Sequence, residues 1–269
     1  MSNAPNTPTT PFTPTWMSFP HAGECNFDAQ SVLQSWARLH VGDAEPPPDD
    51  PKVCDAWALF HSGEFEKAVQ AGLQAGGAGI TVANKAACIY ANHLEKMEKI
   101  RLDMYLEVAQ RAQAQAEQEP ENANAWYWQA YALGRYSQGI SVAKALAQGI
   151  GSTVKLALET TIRLQPLHAD AHLALGGFHA EVIDKVGALI GSMTYGAKKE
   201  VGLKLFQEAL KLNPGSAIGM IEHAHALMML EGEQGIKNAT HLYQQAAASE
   251  PLDAMEWLDV DMAKAELDE

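Results

Sequence analysis

Residues 202–214 read Gly-Leu-Lys-Leu-Phe-Gln-Glu-Ala-Leu-Lys-Leu-Asn-Pro, and their skeleton returns 37 residues later as Ala239, Tyr243, Ala246 and Pro251. A small residue such as Ala209 or Ala246 lets two helices approach closely, the aromatic three positions earlier fills the gap beside it, and the proline stops the helix. Working outward, Pro120 and Pro166 close two earlier helical stretches in the same way. Six residues after the four prolines stand Trp126, His172, Met220 and Trp257. Recurrence of this kind marks helical hairpins stacked in a row.

The phrase resembles the tetratricopeptide repeat. The residues that carry it are Gly202, Phe206, Ala209 and Pro214, then Ala239, Tyr243, Ala246 and Pro251, and Ala171-His172-Leu173-Ala174-Leu175-Gly176 at the head of a further copy. The resemblance implies an all-α fold, a right-handed α-solenoid of tetratricopeptide-like hairpins. The prolines stand 46, 48 and 37 residues apart, against roughly 34 for a standard repeat, so two copies are stretched. The extra length falls in residues 135–152 and 181–196, punctuated by Gly139, Gly149 and Gly151 in one and by Gly187, Gly191 and Gly196 in the other. Glycine at that density bends or breaks helices. Each insertion reads as a long, kinked inserted helix.

At 269 residues the chain is long for one compact core but ordinary for about five hairpins that touch only their neighbours. An apolar content of 47% with aromatics at 7% suits closely packed helices, and no run rich in valine, isoleucine and threonine announces a strand. The net charge of −14 excludes nucleic acid as a partner, because phosphate binding needs clustered lysine and arginine. Half of that charge lies in residues 250–269, with eight acids and one lysine. This end reads as a solvated capping helix, with a docking tail for a basic partner as the alternative. Cys25, Cys54 and Cys88 lack the spacing of zinc ligands and read as free thiols. Residues 1–20 hold no lysine, arginine or apolar run, and no stretch approaches the roughly 20 apolar residues of a membrane span. A cytoplasmic location is expected.

Residues 1–25, rich in proline and threonine, read as a disordered or loosely draped segment. Its Phe12, Trp16, Met17 and Phe19 are candidates to fold back into the protein's own groove. Residues 26–51 read as a short amphipathic helix capped by Asn26 or Asp28, then a stiff proline connector. The helix's apolar side carries Phe27, Val32, Leu33, Trp36 and Leu39. Residues 52–269 form the repeat domain. It opens with a hairpin turning at Gly63-Glu64-Phe65, and a degenerate pair follows over 81–93 and 96–119.

Residues 126–250 also resemble the helical domain of the regulator of microtubule dynamics family, on Tyr136-Ser137-Gln138-Gly139-Ile140, on Leu175-Gly176-Gly177-Phe178-His179-Ala180-Glu181-Val182 and on residues 200–213. This resemblance implies hairpins interrupted by long inserted helices. A weaker one, to the T-component proteins associated with tripartite periplasmic transporters, implies inserted segments around a central pore or groove.

No Gly-x-Ser-x-Gly elbow, phosphate loop or dinucleotide fingerprint is present, and nothing in the sequence orders Asp170, His172 and Glu181 into an acid–base set. His168 and His172, four apart, have a metal-ligand spacing, yet His172 holds the position of Trp126 and Trp257 and reads as packing. The chain therefore reads as a binding protein, with no enzyme activity, metal or cofactor. In stacked hairpins the first helix of each pair lines the concave face. The repeat offsets assign to that face Trp57, Phe60 and His61, then Tyr127, Tyr131 and Arg135, then Leu173 and Glu181, and finally Ile221, His225 and Met228. Aromatics, methionine and arginine are the residue types of binding hot spots. Two readings follow: a scaffold that holds a protein or peptide partner in an open groove, or a carrier of a small or lipid-like ligand in a pocket closed by the inserted helices.

Overall fold

The computed structural model describes residues 16–268, and among them it is all-α, with no strand. Helix α1 (Ala29–Leu39) is capped by Asp28, whose carboxylate accepts from the Ser31 amide. Val32, Trp36 and Leu39 face inward, while Leu33, assigned to the same side, stays exposed. The proline connector then delivers the chain to α2 (Pro51–His61), where Pro51 sits in the first turn and its missing N–H costs nothing.

Five hairpins and a final helix follow. The turn at Gly63, with φ 81°, joins α2 to α3 (Phe65–Ala75), and α4 (Gly79–His93) leads to α5 (Glu98–Gln118). Next come α6 (Ala123–Gln138), the short α7 (Val142–Ala147) and α8 (Ile150–Leu164), then α9 (Ala169–Val186), the short α10 (Ala188–Tyr195) and α11 (Lys199–Leu212). The chain ends with α12 (Ala217–Glu231), α13 (Ile236–Ala247) and α14 (Ala254–Asp268). Pro120, Pro166, Pro214 and Pro251 lie just beyond α5, α8, α11 and α13. Each therefore ends the second helix of a pair, and Asn122, His168 and Ser216 cap the next first helix with a side-chain acceptor.

The two insertions are broken rather than kinked helices. Gly149, Gly187 and Gly196 adopt φ of 65°, 82° and 66°, the left-handed region that stops a helix, so α7 and α10 stand as separate short helices.

The packing order makes a ring. Helices α2, α4, α6, α9, α12 and α14 each touch the next, and α14 returns to α2. Between each successive pair stands one of α3, α5, α8, α11 and α13. Residues 253–261 fasten the closure: Asp253 meets His61, Glu256 meets Arg38, Asp259 meets His93 and Asp261 meets His21. The acidic C-terminal end is thus engaged by basic side chains of its own chain.

Residues 16–25 correct the expectation of a draped segment; residues 1–15, Phe12 among them, lie outside the described residues. The ring of Trp16 packs 4.0 Å from that of Tyr90, and the Met17 amide donates to the Tyr90 hydroxyl at 2.9 Å. Phe19 is buried so tightly over Gly63 that a Cβ there would lie 2.5 Å from its ring. These contacts fall on α4 and on the turn between α2 and α3 rather than in the concave face. Apolar burial outweighs the ordering entropy of this segment.

Candidate functional site

The ring encloses a cavity of about 440 Å³, inside the roughly 300–1,000 Å³ range of small-molecule sites. Residues of α4, α6, α9, α12 and α14 line it, together with the segment 38–43 that spans the end of α1 and the turn after it. Its walls differ in character.

One wall is apolar and comes from the insertions. Ile140, Val142 and Leu146 reach it from around α7, Ile150 and Val154 from the start of α8, and Val182 and Tyr195 from the end of α9 and from α10. The stretched repeats supply this wall, because a hairpin of ordinary length would end before it.

The opposite wall is charged. Lys85, only 2% exposed, places its Nζ 2.6 Å from Asp43 Oδ2 and lies over the rings of Trp57 and Phe60. Burial pushes Lys85 down and Asp43 up, but their mutual attraction outweighs it, holding the amine raised and the carboxyl well below its usual range. Arg135 Nη2 meets Glu222 Oε1 at 2.5 Å, linking α6 to α12, and its guanidinium lies 5.3 Å from the Tyr131 ring. Both cations are therefore internally neutralised.

Three further carboxyls of the lining, Asp170, Glu181 and Asp259, are raised by burial. Burial drives Asp170 up to about 7, helped by the charge of Asp43, and its side chain has no hydrogen-bond donor among the described residues. Burial also raises Glu181, which accepts from the amide of Gln138, and Asp259, which stands 3.3 Å from His93 Nε2. Segment 38–43 reaches this wall through Gly42, whose carbonyl accepts from the Asp170 amide at 3.0 Å; a Cβ on Gly42 would lie 2.6 Å from Asp170 Oδ1.

Of the residues assigned to the concave face, Tyr127, Tyr131, Arg135, Leu173 and Glu181 do line the cavity. Trp57, Phe60, His61 and Ile221 do not: each is 0% exposed in the core. On α2 the inward face is taken up by His40, Lys85 and Asp253, and on α12 Ile221 packs against Val260 and Ala263 of α14. His225 instead pairs with Glu266 at 3.3 Å, and Met228 is exposed away from the cavity. On α12 the lining side chains are Ile218 and Glu222, three positions earlier on the helix. Ring closure turned α12 so that its predicted face meets α14.

His168 and His172 do unrelated work. His168 is buried, caps α9 through Nδ1 and donates from Nε2 to Asn124 at 2.9 Å, and burial lowers it to about 4. His172 reaches the Pro166 carbonyl at 3.0 Å.

The sequence analysis left Lys85, Asp43, His93 and Asp259 unassigned. One signal was available: Lys85 stands alone in a run of small and apolar residues, Thr81 to Ala91, that is buried throughout. A charge in such a run needs a buried partner. No protein-family model matches this sequence, and no curated protein matches it.

Proposed function

We propose that this protein binds a small amphipathic ligand with a basic head and an apolar body, held in the cavity of the ring. The hairpins are read as tetratricopeptide-like units of a solenoid, and the insertions are what turn its groove into a pocket. One observation carries the reading: the groove residues Tyr127, Tyr131, Arg135 and Glu181 share one partly open cavity with apolar side chains of the two insertions. That arrangement favours the carrier over the peptide scaffold, since an extended peptide needs an open channel.

The charge inventory sets the head group. Lys85 and Arg135 are spoken for by Asp43 and Glu222, and the remaining lining lysine, Lys185, stands exposed beside Asp184, so an anionic head among the buried cations would break a pair, whereas an ammonium group finds Asp170, which has none among the described residues.

Calorimetric titration with dodecylamine, dodecanol and dodecanoic acid tests the reading. The amine binding best, and losing that preference in Asp170→Asn, is the expected result. Equal affinity for all three, or none, would rule it out.

A further inference from the structure

The two insertions differ from the rest of the chain in charge and in surface. Residues 136–158 and 185–199, which overlap the two insertions, carry Lys144, Lys155, Lys185, Lys198 and Lys199, with Glu159, Glu181, Asp184 and Glu200 at or near their borders, in a protein of net charge −14. They also hold the two most exposed large apolar side chains among the described residues, Met193 at 80% and Leu189 at 74%, with Ile190 at 56%, Leu146 at 45% and Val142 at 40% beside them.

These residues share one region. Helix α10 faces the protein through Gly191, where a Cβ would lie 3.1 Å from Val182, and through Tyr195, which sits against Gly151 of α8. Its remaining face, Leu189, Ile190 and Met193, points outward. Lys155 of α8 reaches Gly196 at the end of α10, within 3.2 Å of where a Cβ would stand. On α7, Val142 and Leu146 are one turn apart, and both line the cavity while remaining exposed. The apolar wall of the cavity therefore continues onto the outer surface.

Apolar side chains this exposed on two short helices, ringed by lysines, match the chemistry of an interface that lies on lipid. The lysine ion pairs in this region, Lys155 with Glu159, Lys185 with Asp184 and Lys199 with Glu231, are surface pairs that release their cations at little cost. We propose that α7 and α10 form a docking face for an anionic lipid surface, with the apolar side chains entering the headgroup region and the lysines meeting its phosphates. The docking holds whether the cavity is empty or filled, so it stands apart from the ligand reading.

Co-sedimentation with vesicles tests it, using phosphatidylcholine alone and phosphatidylcholine mixed with phosphatidylglycerol. The expected result is binding to the mixed vesicles only, lost in high salt, lost in Leu189→Ser with Met193→Ser, and lost in Lys144→Glu with Lys198→Glu. All four positions are on the surface, and unchanged helicity by circular dichroism confirms that the variants fold. Equal binding to both vesicle types, binding to neither, or binding that survives the serine substitutions overturns the proposal. So does a concentration-dependent dimer that those substitutions abolish, which would assign the face to a second copy of the chain.

Discussion

His61 Nδ1 lies 2.6 Å from Asp253 Oδ2 across 192 residues of sequence, with both side chains at 2% exposure or less. The contact joins the last residue of α2 to the residue just before α14. It continues inward, since His61 Nε2 stands 3.3 Å from His40 Nε2, His40 Nδ1 donates to Asp43 at 3.0 Å, and Asp43 holds Lys85. A buried relay of alternating charge and imidazole thus clasps the ring beside the cavity.

Removing the carboxylate from this clasp leaves His61 buried without its partner. Asp253→Ala is expected to cost about 3–5 kcal/mol, read as a lower urea midpoint. It should also abolish ligand binding in the surviving folded fraction, because α14 supplies the Asp259 side of the cavity. A stability loss below about 1 kcal/mol would show that the ring is held by α12 and α13 alone.

Acid should act through the buried histidines. Burial depresses His168 to about 4 from an ordinary value near 6.5, so its contribution is fully present above 6.5 and is lost as pH falls through 4. Asp170 and Glu45, raised to about 7 and 8 by burial, contribute in the opposite sense over an overlapping window, so total stability is a poor readout. His168→Asn isolates the histidine, since asparagine retains the cap on the Ala171 amide and cannot titrate. The slope of unfolding free energy between pH 6.5 and 4 should fall relative to the native chain, by roughly 3 kcal/mol over the whole window. An unchanged slope would mean that His168 is protonated in the folded state.

The hairpins were legible because their signals are local. The offset of six between proline and aromatic corresponds to a hydrogen bond, in which Trp126 Nε1 donates to the Pro120 carbonyl at 2.9 Å and His172 Nε2 meets that of Pro166 at 3.0 Å. The concave face was legible on α6 and α9, in the middle of the stack. It failed on α2 and α12, which meet α14 across the closure. Closure results from small rotations summed over six helices, and no short stretch encodes that sum. The pairs that fix it, His61 with Asp253 and His93 with Asp259, join residues more than 160 positions apart and leave no local pattern.

Two adjacent glycines in α9 should behave oppositely. A Cβ on Gly176 would lie 2.9 Å from the Phe206 ring and 3.2 Å from the Gly202 carbonyl, where α9 and α11 approach closely, whereas Gly177 meets nothing within 4 Å and borders the cavity. Gly176→Ala is expected to destabilise by about 1–3 kcal/mol through overpacking. Gly177→Ala should stabilise by up to about 1 kcal/mol, because alanine favours the helix. Thermal melts of the two variants decide it, and equal shifts would refute the close approach of these helices.

Ligand uptake should move a proton. Asp170, raised to about 7, is partly protonated at neutral pH, and a bound ammonium group would favour its charged form. Binding of dodecylamine near pH 7 is therefore expected to release a fraction of a proton from the protein. Calorimetry in buffers of different ionisation enthalpy measures that fraction directly. In Asp170→Asn the amine should bind at least about tenfold more weakly, the equivalent of roughly 1.4 kcal/mol, and this release should disappear. The phenols do not compete as its source, because burial pushes Tyr131 up to about 12 and holds Tyr127 well above its ordinary value. Undiminished proton release in the variant would place the head group elsewhere in the cavity, with Glu181 or Asp259, the two other carboxyls raised by burial, as its partner.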